Sequence, residues 1–240
     1  MKLQIIKSTP QKLTIKISDA SPAFVNALRR TIITDLPSFA IDEVDFFENN
    51  SPMYNEYIAN RLALIPLYYD EDAADDAKIA FALDKEGPCT VYSKDLKSAD
   101  EKIRVFCQNI PIIKLGEKQR LRLEAIAVKG TMRQHAKFQC ALASYNAFPE
   151  ITVKKGGALK AGVDACPRKV FNEKGEPTNL EACDLCNACT DAAPENFQVK
   201  PSATEFIFFV ETYNNISPKE HLNKALEIMS SRAKALAKEL

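Results

Sequence analysis

The chain has 240 residues, 46% of them hydrophobic, enough for one large or two modest domains with cores of their own. Its 32 basic residues balance 32 acidic ones, so no net field draws it to nucleic acid or to an anionic membrane, and any such contact has to be local. Apolar runs such as FIFFV at Phe206 to Val210 fall far short of the ~20 residues of a membrane helix, and the opening MKLQIIKSTP lacks the apolar core of a signal peptide, so a soluble, cytoplasmic protein is expected.

In chain order, LQIIKSTPQKLTIKIS alternates apolar and polar residues on both sides of a short turn, the pattern of an antiparallel hairpin. Ser21 then supplies an N-cap and Pro22 a first helical residue, and Phe24, Leu28, Thr31 and Ile32 recur on one helical face until the Leu36-Pro37 break. SFAIDEVDFFENN reads as a strand, and the acidic YYDEDAADDA as a solvated loop. From Ile79 to Pro149 the strand candidates KIAFALD, CTVYSKDL, LRLEAIAVKG and KFQCALASYN suggest a second, β-rich domain. Gly156, Gly157 and Gly162 open a third, small module that carries four cysteines.

Beyond it, TEFIFFVETY is apolar on both faces, as a central strand is. Ser217 and Glu220 form a capping box around Pro218. Leu222, Ala225, Leu226, Met229, Ala233, Leu236 and Leu240 then make one helical stripe, longer than packing on a single sheet requires.

No catalytic constellation emerges. There is no Gly-rich phosphate loop and no G-x-S-x-G, and the two histidines, His135 and His221, lie far apart. His221, in the first turn of the last helix, reads as a surface residue. Cys89, Cys107 and Cys140 each stand alone among apolar neighbours and read as buried, inert thiols.

The remaining cysteines are different. Bacterial ferredoxin runs read C-x2-C-x2-C-x3-C-P, and in two-cluster proteins the fourth cysteine of each run ligates the other run's cluster. Cys183, Cys186 and Cys189 fill the first three places of such a run, whose fourth is Ala193, followed by Pro194. Cys166-Pro167 fits the fourth place of an earlier run whose first three places are Gly156, Leu159 and Gly162. One ligand set is absent as a whole, and the other, Cys166, Cys183, Cys186 and Cys189, is complete. This predicts one 4Fe-4S cluster, or a three-iron cluster if Cys166 does not ligate. Zinc is the other ion four cysteines take, but its ligands usually come as two separated pairs. The segment looks too small and too poor in apolar residues to fold without such a cluster.

The flanks carry a resemblance. SPAFVNALRRTIITDLPSFAIDEVDFFENNSPMYNEYIANRLALIPL, with NALRR and NRLALIPL, resembles the α-like subunits of cellular RNA polymerases, and ISPKEHLNKALEIM is similar to the opening of their last helix. With the cysteine insertion, nearly the whole chain resembles the archaeal, D-type members of that family. The resemblance implies an α+β fold with three parts. These are a discontinuous dimerisation domain (1–43 and 204–240), an inserted β-rich domain (44–155) and a ferredoxin-like iron-sulfur domain (156–203). It implies a non-catalytic assembly platform for transcription. The chain would pair with the small subunit L through Phe24, Leu28, Ile32, Leu222, Leu226, Met229, Ala233 and Leu236. It would join subunits N and P and receive the two large catalytic subunits. Arg29, Arg30 and Arg61 would lie at interfaces. The rival readings are a one-cluster electron-transfer subunit of an oxidoreductase and, more weakly, a zinc-bearing interaction protein.

Overall fold

A computed structural model describes residues 1–154 and 156–240; the end placed at residue 155 for the inserted domain lies outside the described residues. The chain forms two compact units, Met1–Arg29 with Ala143–Val210, and Arg30–Leu142 with Glu211–Leu240. The architecture is α+β, and its strand pairings are antiparallel wherever the register is resolved.

The expected hairpin is present: β1 (Lys2–Ser8) pairs with β2 (Lys12–Ser18), Leu3 opposite Ile17 and Ile5 opposite Ile15. Alternation puts Leu13, Ile15 and Ile17 on the buried face of β2. Helix α1 (Pro22–Thr34) begins where the hydroxyl of Ser21 accepts from the Phe24 amide at 3.2 Å, and it ends before Pro37 opens β3 (Pro37–Asn49). A short helix, α2 (Asn55–Ala63), follows and buries Ile58 and Leu62. Strands β4 (Lys78–Glu86), β5 (Cys89–Tyr92), β6 (Lys97–Ser98), β7 (Pro111–Leu115) and β8 (Arg120–Thr131) complete the inserted stretch. After them come β9 (Ala141–Val153), the short helices α3 (Leu159–Asp164) and α4 (Ala188–Ala192), the long β10 (Phe197–Thr212) and α5 (Pro218–Glu239).

In the first unit the sheet order is β1-β2-β10-β9, so β10 is internal, as its two apolar faces require. Phe206, Ile207, Phe208 and Val210 are all buried. KFQCALASYN, expected in the β-rich middle, instead leads into β9, which runs beside β10. Local alternation shows that a stretch is a strand; it says nothing about which neighbour supplies the ladder.

The second unit contains a sheet of order β3-β8-β4-β6 and a β5-β7 ribbon. Leu121, Leu123, Ala125 and Ala127 alternate inward along β8 and meet Phe81, Leu83, Ile58 and Leu62 in one apolar core. The acidic loop is less free than its composition suggests. Tyr69 is buried and exchanges two hydrogen bonds with the Asn215 side chain, at 2.6 and 3.0 Å. Asp70, Glu71 and Asp75 pair with Lys102, Lys224 and Lys129.

Two side-chain expectations are corrected. His221 is 2% exposed, because α5 turns this first-turn position inward, where Nε2 lies 3.1 Å from both Thr212 Oγ1 and Asn214 Oδ1. Of the isolated cysteines, Cys140 is buried and its thiol is pushed up to about 12 by desolvation, but Cys89 is half-buried and Cys107 exposed.

Candidate metal centre and partner face

The cysteine module is organised by a tight reversal. Gly175 takes φ +78°, the Asn172 side chain accepts from the Lys174 and Glu176 amides, and Phe171 bridges to Pro177. The reversal lays residues 166–170 beside 178–183, where Val170 C=O accepts from the amides of Thr178 and Asn179. Arg168 Nε then donates to Asp184 at 2.9 Å. The fold thus brings Cys166 and Cys183, well separated in sequence, to one place. Helix α4 carries Cys189 and packs against α3.

All four predicted ligands line one small cavity, together with Val170, Phe171 and Val199. They differ in exposure: Cys189 is 7% exposed, Cys166 and Cys183 are half-buried, and Cys186 is exposed. Burial pushes the thiols of Cys183 and Cys189 up; bare thiolates are disfavoured there unless a cation compensates them. Among the described residues no three His, Cys, Asp or Glu side chains converge on a point that a single ion could occupy.

Two further features fit an anionic sulfur group. The buried Thr190 hydroxyl and the Thr190 amide both hydrogen-bond Cys189, which favours its thiolate against the burial that opposes it. Leu185 and Asn187, on either side of Cys186, hold φ of +59° and +61°, the left-handed backbone that occurs in the amide-lined nests of many iron-sulfur sites.

The places of the absent ligand set are filled by packing. Ala193 is 1% exposed, and Leu159 packs on the same apolar cluster of Val170, Phe171, Cys189, Ala193 and Phe197. A Cβ at Gly162 would stand 2.3 Å from the Phe197 ring, and one at Gly156 would stand 2.8 Å from Asn196 Nδ2. The rings of Phe171 and Phe197 meet edge to face at 4.8 Å. The module therefore has a core of its own, contrary to what its composition suggests. Ile151 and Val153 complete that core from β9, the strand before the segment, and Val199 from β10, which begins within it.

The predicted partner-facing residues divide into two groups. Leu28, Ile32 and Leu222 are buried within the chain, at 2%, 0% and 7% exposure. Phe24, Leu226 and Met229 are half-buried, while Ala233 and Leu236 are exposed, as is every residue of α5 from Ser231 onward. Arg30 is exposed, Arg29 is held by Asn26 at 3.0 and 3.1 Å, and Arg61 donates to the Pro111 carbonyl. A second exposed stripe escapes sequence reasoning: Tyr54, Tyr57 and Leu64 stand out along α2 and its ends. Their helical spacing is the signal that could have found them.

An α+β chain of this kind, with an inserted β-rich stretch, falls into the class of α-like RNA polymerase subunits: residues 43–147 match the RNA polymerase Rpb3/RpoA insert domain. Relatives cover nearly the full length. The DNA-directed RNA polymerase subunit Rpo3 of Methanobrevibacter smithii is 32% identical over 97% of this chain and 96% of its own. That of Archaeoglobus fulgidus is 34% identical over 98% and 96%, and that of Halobacterium salinarum 37% identical over 92% and 89%. The chain belongs to the Rpo3 family of DNA-directed RNA polymerase subunits. The D-type designation, with its ferredoxin-like insertion, is corrected by these findings. The relatives are named Rpo3, and the family match covers the insert domain and no iron-sulfur module.

Proposed function

We propose that this chain is a non-catalytic assembly subunit of DNA-directed RNA polymerase, acting in the cytoplasm. It pairs through α5 and α1 with a small α-like chain, subunit L, and presents a platform for subunits N and P and the large catalytic subunits. The observation that carries this reading is the change in environment along one apolar stripe. Leu222 and Ala225 are used in the chain's own packing, while Leu226, Met229, Ala233 and Leu236 run outward on a helix that is exposed all round from Ser231 onward. Such a face marks a protein contact. Leu28, Ile32 and Leu222 are buried within the chain, so in this reading Phe24 and the outer stripe of α5 each meet the partner.

In this reading Cys166, Cys183, Cys186 and Cys189 hold one 4Fe-4S cluster. When bound, it would tie together the segments that carry Cys166, Cys183, Cys186 and Cys189. The Phe171–Phe197 core keeps the rest of the module packed, so the cluster adds a second restraint to an existing core.

Anaerobic purification of the natively expressed protein tests both parts, through mass analysis of what co-purifies and through iron, sulfide and zinc content. A small α-like chain in equal amount and four irons per chain are expected. Recovery as a monomer, or template-dependent RNA synthesis by the chain alone, would overturn the assembly reading.

A further inference from the structure

A groove in the second unit belongs neither to the cysteine module nor to the α5 stripe. It measures about 450 Å³ and crosses the outer face of the β3-β8-β4-β6 sheet, from Phe47 on β3 past Arg122 and Ala82 to Lys94 and Lys97. We propose that it docks an extended, acidic segment of a partner protein, which sets an apolar side chain on Phe47 and carboxylates on Lys94 and Lys97.

Strand geometry builds the apolar end. The β3–β8 register shifts between Phe46 and Glu48, so Phe47 is the extra residue of a bulge, and it is 59% exposed. Leu121 and Leu123 alternate into the core, which turns Arg122 outward, its guanidinium 5.6 Å from the centre of the Phe47 ring. On β4 the exposed residue opposite Glu124 is Ala82, too small to fill the floor between Phe47 and the lysines. A lone exposed phenylalanine is ordinary on a protein surface. This one stands at one end of a groove whose other end is cationic.

The charge left over selects the occupant. Asp84 and Asp95 are held by Arg120 and Lys85, each at 2.8 Å. Among the described residues Lys94, Lys97 and Arg122 form no salt bridge, and of the groove's carboxylates only Glu124 is equally uncommitted. An acidic chain satisfies that surplus of cations. Its backbone finds a place as well. Strand β6 is two residues long, and its rungs with β4 run through Ala80, whose carbonyl accepts from the Ala99 amide at 2.9 Å, and through Ala82 opposite Lys97. The next rung falls at Asp84, where the chain has already turned into the 3-10 helix Ser93–Asp95. The Asp84 N–H and C=O are left beside the groove with no described strand against them. An open strand edge takes an extended peptide, whose own N–H and C=O match it; a phosphodiester backbone offers no amide to do so.

For the test, p-benzoylphenylalanine replaces Phe47 in the full chain, the polymerase that contains it is purified and irradiated, and the cross-linked peptides are sequenced. The expected product joins this chain to one net-negative segment of another protein. Lys94→Glu with Lys97→Glu, both at exposed positions, should cut its yield at least ten-fold while the chain stays in the polymerase. Lys78→Glu, exposed on β4 but outside the groove, should leave the yield unchanged. A cross-link to nucleic acid, to a neutral or basic segment or to this chain itself overturns the proposal. So does the lack of any cross-link, or a yield that responds to Lys78→Glu as strongly as to the two groove lysines.

Discussion

Arg232, on α5, reaches the carboxylate of Asp35 at the end of α1, 197 residues earlier in the chain. Arg133 holds the other oxygen, and Thr34 Oγ1 donates to that same oxygen at 3.0 Å. The Asp35 side chain is 3% exposed, while both guanidinium groups are more than half exposed. The carboxylate is thus buried and fully compensated, and its partners keep their hydration. Burial alone would push the carboxyl up, but the hydrogen bonds from Arg133, Arg232 and Thr34 outweigh it and hold the group at about 2.

A folded value depressed from 3.8 to about 2 contributes stability that is fully present above pH 3.8 and is lost as pH falls through 2. The contribution is at most ~2 kcal/mol, because the cations remain solvated. Asp35→Ala should lower the urea midpoint at pH 7 and raise hydrogen exchange in α5 around Arg232, with little further loss on acidification to pH 3. An unchanged midpoint would mean that the two arginines contribute nothing measurable.

His221 gives a second pH signature at milder acidity. Its ring is held at about 4, first by desolvation and then by Lys224, with Glu220 opposing. Nε2 serves Thr212 and Asn214, and Nδ1 is buried without a partner, so a second proton has no acceptor. The folded value lies below the ordinary 6.5, so this contribution is complete above pH 6.5 and lost as pH drops through 4, in total ~3 kcal/mol. Denaturation midpoints of wild type and His221→Gln between pH 7 and 4 should converge as pH falls; parallel curves would exclude the histidine as their cause.

The cysteine module makes a packing prediction. Gly162→Ala should destabilise it by roughly 1–3 kcal/mol, since the added methyl meets the Phe197 ring at 2.3 Å. Adding Phe197→Leu should recover part of that loss, a coupling between touching residues that limited proteolysis across residues 156–197 would read. Simple additivity of the two changes would show that the filled second-cluster place is not under packing tension.

What could be read from sequence follows from how local each signal is. Ser21, Pro22, Ser217 and Glu220 act within one helical turn, and the helices begin where they indicate. The alternation of Leu13, Ile15 and Ile17 is equally local. That the four cysteines gather in one place was legible in their spacing, and they do line one cavity. The core behind them was not, because Ile151 and Val153 come from β9, before the segment. Nor was the pairing of β9 with β10, which a strand some fifty residues away supplies, or the burial of His221, which depends on how the turn from β10 into α5 brings Thr212 and Asn214 to its ring.

The partner face yields the most direct test, because the stripe on α5 changes role within two turns. Leu222 is 7% exposed and Ala225 fully buried, so Leu222→Asp places an uncompensated charge in the interior and should unfold the unit that contains it. Leu226 and Met229 lie at the transition, and Leu236 is 61% exposed. Replacing all three with Asp leaves every fully buried side chain intact, so the monomer should keep its circular dichroism and its melting transition. Association should suffer instead, since three buried apolar anchors of ~1–3 kcal/mol each amount to at least a hundred-fold in Kd. Size-exclusion chromatography of each variant with the small α-like chain separates the outcomes. Loss of folding with Leu222→Asp and loss of pairing alone with the triple variant assign the outer stripe to the partner. A triple variant that still co-elutes at micromolar concentration would move the interface elsewhere, with the exposed Tyr54, Tyr57 and Leu64 stripe of α2 the next surface to substitute.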